Sequence, residues 1–329
     1  MVRVDARLSD VRCSIPEGPM PKADREGEIG TRLLTGGTVA DVMRSSIFRA
    51  TALAVAVACI SWQGASVPAA AQTVSPPDVG MHRSLDIILD TYVREGLVYY
   101  RALRAERGRL DAYISTLDVP PAAFEGWSRD EQAAFWLNAY NALVLRTIVN
   151  AYPIQGKAAQ YPTNSIQHVA GAFTAKRHRV GGRQLSLEDI EKQVLPGFND
   201  PRMFFAIGRG SIGGGRLRSE AFTATRLEAQ LAAVAAECVE RNECFRYDPG
   251  ADRIEISPIF GWRQTDFTRA WTGDAAVFAG RSPIELAVLQ MVLPHVLPSE
   301  ARGLKKNTFT LAYSEYDWRL NDLTDGGPR

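Results

Sequence analysis

The residues best suited to chemistry cluster around a glycine-rich stretch, Gly208-Arg-Gly-Ser-Ile-Gly-Gly-Gly215, which is followed by Arg216-Leu-Arg218. Backbone N–H groups exposed by so many glycines, flanked by the guanidinium groups of Arg209, Arg216 and Arg218, would suit a carboxylate or phosphate. The stretch contains G-x-G-x-x-G directly after the apolar run Met203–Ile207, so a dinucleotide site must be considered. In such a site the third glycine opens a helix, whereas here Gly214, Gly215 and Arg216-Leu-Arg-Ser intervene, and no dinucleotide cofactor is expected. No side chain of the stretch titrates near pH 7, so it holds no general base of its own. The plainer alternative is a mobile surface loop carrying solvated arginines.

Elsewhere the reactive groups are few. Asn138 and Asn141 sit about one turn apart in an apolar segment, where an unpartnered amide costs roughly 1–3 kcal/mol, so each must bind either a ligand or a neighbouring loop. Asp189 and Glu191 are possible acid and base. Asp189 already has a role as the capping partner of Ser186, which leaves Glu191 as the candidate catalytic carboxylate. His168, His178 and His295 lack ligand spacing, and Cys238 with Cys244 makes half a metal site, so no metal is expected. The two cysteines read instead as a disulfide.

These groups must be positioned by the elements around them. Ser128 to Tyr152 reads as a central helix, opened by the Ser128/Glu131 capping box and stopped by Pro153. Its apolar residues face every direction, which predicts burial on all sides. Two amphipathic helices precede it, marked by Leu85, Ile88, Leu89, Tyr92 and Val93 and by Leu110, Tyr113, Ile114 and Leu117. Beyond Pro153 the pattern mixes. Val180-Gly-Gly-Arg183 predicts a tight turn between strands, Ser186 opens a helix that ends at Pro196-Gly197, and Met203–Ile207 reads as a buried strand. A helix follows from near Thr223 to Asn242, then a strand at Arg253–Ser257, a helix capped by Ser282-Pro-Ile-Glu285 and a β pattern over Asn307–Tyr313. The expected class is α+β, with N-terminal helices and a long buried central helix followed by a mixed sheet with further helices.

The 329 residues carry 38 Lys+Arg against 37 Asp+Glu, which leaves no electrostatic footprint for nucleic acid. Met43-Arg44 to Arg49, an apolar run from Ala50 to Trp62 and Ala69-Ala70-Ala71 have the form of a signal peptide cleaved before Gln72. Residues 1–42 would then be a mis-called N-terminal extension, 43–71 the signal, 72–81 a linker, 82–322 a single globular domain and 323–329 a tail. A lipidated Cys59 is the rival reading, weakened by Ala56 where a larger aliphatic is preferred. A periplasmic or secreted protein with no membrane span after cleavage is the expectation.

Five stretches in order, F-W-L-N-A-Y-N at 135–141, S-L-E-D-I-E at 186–191, D-P-R-M-F-F-A-I at 200–207, L-R-S-E-A-F at 217–222 and Y-D-W-R-L-N at 316–321, resemble the family called domain of unknown function 547. Members often carry a histidine before the F-A-L segment and S-C-P-P in the next loop, which implies a thiol enzyme. Here Phe204 stands at the histidine position and Gly214 opposite the cysteine, so a Cys/His nucleophile cannot be built. The resemblance with those two departures implies a non-catalytic, pseudoenzyme-like module. Its ligand-binding candidates are Asn138, Asn141, Glu191, Arg209, Gly214 and Arg218, its partner a small anionic or peptide-like ligand or a periplasmic protein. The alternative is a hydrolase or transferase that uses the Asn, Glu and Arg groups of the same pocket.

Overall fold

The computed structural model describes residues 79–324. The expected signal peptide, the upstream extension, Cys59 and nearly all of the linker and tail lie outside these residues. The first half is helical. Helix α1 (Val79–Tyr92) opens before His82 and runs into a two-stranded hairpin, β1 (Val93–Arg94) and β2 (Leu97–Val98). Helices α2 (Tyr100–Ala105), α3 (Gly108–Ser115) and α4 (Pro121–Phe124) then lead to α5 (Arg129–Ala151).

Helix α5 is the element the core is built on. Both arms of its capping box form: the Ser128 hydroxyl accepts from the Glu131 N–H, and the Glu131 carboxylate accepts from the Ser128 N–H. Tyr152 is extended, and Pro153 prevents another turn. Between the caps all residues from Ala133 to Leu145 are buried. Each large aliphatic or aromatic side chain taken out of water here contributes roughly 1.5–3 kcal/mol. Helices α1, α2 and α3 pack against α5. Phe124, Trp127, Phe135 and Trp136 form an aromatic cluster at its N-terminal end, in which Phe135 meets each of the other three edge-to-face.

After α5 the hairpin β3 (His178–Val180) and β4 (Arg183–Leu185) turns through Gly181 and Gly182, both at positive φ. Helix α6 (Leu187–Asp189) carries the Ser186/Asp189 capping box and passes through a wider turn at Ile190–Val194 and a tight turn at Leu195–Phe198. Met203–Ala206 is a helical turn, α7, not the strand that its apolar run suggests. An unbroken apolar run carries no period, so it marks burial without choosing between the two conformations. Only Ile207 is extended, and the loop that follows therefore does not leave the end of a sheet.

Helix α8 (Leu227–Glu240) precedes β5 (Phe245–Asp248) and β6 (Arg253–Ile256), then α9 (Pro258–Trp262), α10 (Gln264–Ala270), α11 (Pro283–Val292), α12 (Pro298–Leu304) and β7 (Thr310–Tyr313). The sheet is mixed, in the order β5-β6-β7: β5 and β6 are antiparallel, while β6 and β7 are parallel with Ile254 opposite Leu311. The architecture is α+β. Cys238, at the end of α8, and Cys244, just before β5, lie at disulfide distance with 5.2 Å between Cα atoms. Among the described residues no helix is long and apolar enough to cross a membrane.

The chain then returns to its beginning. Val98 donates its N–H to the Asn321 carbonyl at 2.8 Å, and Leu323 donates to the Val98 carbonyl at 2.9 Å. The Asn321 side chain accepts from the Tyr100 hydroxyl and donates to the Gly96 carbonyl, each at 2.8 Å. This clasp lays residues 316–321 across the glycine-rich loop.

Candidate functional site

The loop Gly208–Gly215 is buried throughout, so neither a mobile surface loop nor a set of free backbone donors describes it. Asn141 holds its entrance. The amide donates to the Ala206 carbonyl at 3.2 Å and accepts from the Gly208 N–H at 2.8 Å. The N–H groups of Ile212 and Gly213 donate to the carbonyls of Arg319 and Asp317, both at 2.9 Å. Arg241 of the segment after α8 donates to the carbonyls of Ile212 and Gly214 at 2.8 and 3.1 Å. Gly215 has no room for a side chain, because a Cβ would stand 1.9 Å from the Phe205 carbonyl oxygen.

Arg209 points inward and is 3% exposed. One terminal nitrogen lies 2.5 Å from Glu191 Oε1, Nε lies 3.3 Å from Oε2, and the other terminal nitrogen donates to the Phe204 carbonyl at 3.1 Å. The Tyr140 hydroxyl donates to the same carboxylate at 3.3 Å. Burial alone would push the Glu191 carboxyl up. Arg209, by charge and hydrogen bonding, with a further pull from Arg263, outweighs it and holds Glu191 below the ordinary range. Burial works equally against the Arg209 cation, and Glu191 more than compensates. Tyr140 and Tyr316 are both pushed up, chiefly by burial. An anion locked to a guanidinium and a phenol held neutral make a poor base and a poor nucleophile at neutral pH.

The two positions where the sequence departs from its resemblance both border this pair. The Phe204 carbonyl accepts from Arg209, and the Phe204 ring lies under the Arg263 guanidinium, 4.2 Å from its carbon. A Cβ on Gly214 would lie 3.2 Å from the Arg209 backbone nitrogen and 3.2 Å from the Tyr316 hydroxyl. That hydroxyl is 2.8 Å from the Ser211 hydroxyl. Arg263 is itself buried, paired with Asp266 at 2.6 Å, and its Nε has no hydrogen-bond partner among the described residues. Over the cluster lie the rings of Trp262, Tyr316 and Trp318, with Tyr316 4.9 Å from Trp262 and 4.4 Å from Trp318.

Glu191, Arg209, Gly214 and Asn141 are thus brought together, while Asn138 and Arg218 are not. Asn138 binds both backbone groups of Phe222, donating at 2.8 Å and accepting at 2.9 Å. Arg218 is spent on Glu220 and Glu237, at 2.9 Å each. Sequence reasoning missed Tyr140, Ser211, Arg241, Arg263 and Tyr316. Tyr140 lies between the two asparagines of F-W-L-N-A-Y-N and could have been suspected from them. Ser211 lies within the glycine-rich stretch itself and Tyr316 opens Y-D-W-R-L-N, but neither was read as part of a site, while Arg241 and Arg263 come from separate segments and carry no local signal.

A cleft of about 160 Å³ opens beside the loop, between it and the β1–β2 turn. Glu95 and Arg216 face it, together with Ser211, Arg241 and Glu243. Neither Glu95 nor Arg216 has an ion-pair partner among the described residues, whereas Arg241 lies 3.7 Å from Glu243. Among the described residues no group of His, Cys, Asp and Glu side chains could hold a metal ion.

A family model described as protein of unknown function, DUF547, matches residues 124–239. The matched span runs from the end of α4 to the end of α8. It includes the F-W-L-N-A-Y-N, S-L-E-D-I-E, D-P-R-M-F-F-A-I and L-R-S-E-A-F stretches and stops before Y-D-W-R-L-N. The chain therefore resembles this family over the segment that supplies Tyr140, Glu191, Phe204, Arg209 and Gly214. Neither a curated protein nor a solved structure matches the chain.

Proposed function

We propose that this protein is an exported, non-catalytic binding module whose ligand is a small peptide-like zwitterion seated in the cleft beside the glycine-rich loop. The observation that carries this reading is the division of charges. The interior carboxylate and guanidinium, Glu191 and Arg209, are committed to each other, while Arg216 and Glu95 face open space with opposite charges unspent. A cleft presenting both signs suits a molecule with an ammonium and a carboxylate better than a simple anion. The volume of about 160 Å³ limits the occupant to one or two small residues. The upstream sequence supports export, with a mature chain that begins at Gln72.

The test is calorimetric titration of dialanine into the full chain. Arg216→Ala and Glu95→Gln should each weaken binding by about threefold or more, the scale expected for an exposed charged contact. Arg209→Ala should leave the cleft residues in place but destabilise the fold by about 3–5 kcal/mol, because it strands a buried carboxylate. Unchanged affinity in both cleft variants would reject the reading. Turnover of a peptide or ester that Glu191→Gln abolishes in a folded protein would replace it with the hydrolase or transferase alternative.

A further inference from the structure

A second concavity, lined by no residue of the loop itself, lies where the segment after α5 folds back beneath α2. It measures about 570 Å³, large enough for a small organic molecule. Tyr152, Pro153, Ile154, Pro162 and Leu320 give it an apolar floor. The floor is firmly built: the Tyr152 ring stacks on the Tyr100 ring at 5.8 Å, and its hydroxyl donates to Asp322 at 2.7 Å. Across the loop the Gly156 N–H donates to the Thr163 carbonyl at 2.7 Å, which fixes the far wall.

The rim carries one sign of charge. Arg101 and Arg104, three residues apart on one face of α2, and Arg319 line the concavity, and no carboxylate does so among the described residues. Arg319 is spent on Asp317. Arg101 and Arg104 are exposed, and neither guanidinium has a hydrogen-bond or ion-pair partner among the described residues. Unpaired surface arginines are common, but two that overhang a ligand-sized apolar hollow free of carboxylates form a matched pair of features. The hollow favours a hydrophobic body, and the rim favours an anionic head at one end of it.

The geometry points to a binding site for a free amphipathic anion, an aromatic or aliphatic body bearing one carboxylate, sulfonate or phosphate, with the head on Arg101 and Arg104 and the body on Tyr152, Pro153, Ile154 and Leu320. The site is separate from the cleft at Arg216, shares no residue with it and stands whether or not that cleft binds a zwitterion.

Fluorescence titration of the full chain with 1-anilinonaphthalene-8-sulfonate, beside the neutral N-phenyl-1-naphthylamine, tests this site. The sulfonate should bind more tightly than the neutral compound. Arg101→Ala/Arg104→Ala should weaken the sulfonate by about tenfold and leave the neutral compound unchanged, as expected when two exposed charge contacts are lost. Arg216→Ala should change neither, and Arg101→Lys/Arg104→Lys should restore most of the sulfonate affinity, which a merely structural role would not predict. Equal affinity for the two compounds, or no loss in the double alanine variant, would overturn the proposal. So would co-sedimentation with phosphatidylglycerol vesicles through these arginines without uptake of the soluble probe, which would make the face a lipid contact.

Discussion

His178 lies buried in β3, with Nδ1 3.0 Å from a guanidinium nitrogen of Arg146. Because Arg146 can only donate, Nδ1 accepts and the proton sits on Nε2, which has no hydrogen-bond partner among the described residues. His82 is similarly enclosed in α1, its Nδ1 2.8 Å from the Tyr113 hydroxyl. Burial lowers both imidazoles from 6.5 to about 4, and for His178 the Arg146 and Lys176 cations add to the effect. Between pH 6.5 and about 4 the unfolded chain therefore binds protons that the folded chain refuses. Stability contributed by the neutral imidazoles is complete above that window and is lost as pH falls through it, by up to about 1.4 kcal/mol per pH unit for each histidine. The depressed carboxyl of Glu191 acts in the same direction at lower pH. Urea denaturation at pH 7 and pH 5 should reveal the loss, and His178→Gln should make the slope shallower. Equal stability at the two pH values would show that these imidazoles take up protons without unfolding the protein.

At the level of elements, the glycine-rich loop acts as a packed connector between α7 and the segment before α8, held by Asn141, Arg241 and the backbone of residues 317–319. Its glycines are not equivalent. A Cβ at Gly215 would collide with the Phe205 carbonyl at 1.9 Å, a backbone atom that cannot yield without moving α7. At Gly214 the nearest atoms, the Arg209 backbone nitrogen, the Tyr316 hydroxyl and the Ser211 carbonyl oxygen, are 3.2–3.3 Å away, so each need yield only a few tenths of an ångström. Gly215→Ala should therefore cost more than the roughly 1–3 kcal/mol usual for overpacking, while Gly214→Ala should cost less than that range. Thermal denaturation of the two variants compares them directly, and similar melting temperatures would mean that the loop backbone is softer than its hydrogen bonds imply. At the same position a Cβ already presses on the Arg209 backbone nitrogen, the Ser211 carbonyl oxygen and the Tyr316 hydroxyl, and the Phe204 ring stands where the resemblance expects an imidazole.

At the scale of the whole molecule, the chain is closed by two devices that act at different ranges. The Asn321 clasp joins the last described segment to the first hairpin, and the Cys238–Cys244 bridge closes a short loop with a sequence separation of 6. So short a loop removes little freedom from the unfolded chain, and its reduction should cost about 2 kcal/mol. The shift in denaturation midpoint with and without dithiothreitol measures this, and no shift would mean that the thiols contribute equally well unbridged. An oxidised pair also accords with the proposed export, which N-terminal sequencing for Gln72 decides separately.

What the sequence determined by itself was whatever is written within a few residues. Ser128 with Glu131, Ser186 with Asp189 and Ser282 with Glu285 announce their helices because a cap is satisfied by its own first turn. Gly181-Gly182 announces a hairpin because both residues must reach positive φ, and β6 shows its alternation. Cys238 and Cys244 are close in the chain, so their pairing was legible as well. Tertiary structure decided the rest. Whether Met203–Ala206 would be helix or strand was absent from an aperiodic apolar run, and the choice fell to its packing against α8. The partners of Asn138 and Asn141 lie 84 and 65–67 residues away in the chain, so their amides read equally well as ligands or as pins until Phe222, Ala206 and Gly208 came to them. The guanidinium of Arg209 looked available for a ligand because its charge is written in the sequence and its counter-charge is not. Glu191 reaches it only when the helical turn Ile190–Val194 and the glycine-rich loop close on α5, and the burial that results makes the pair exclusive, since neither charge can leave the other without being stranded away from water.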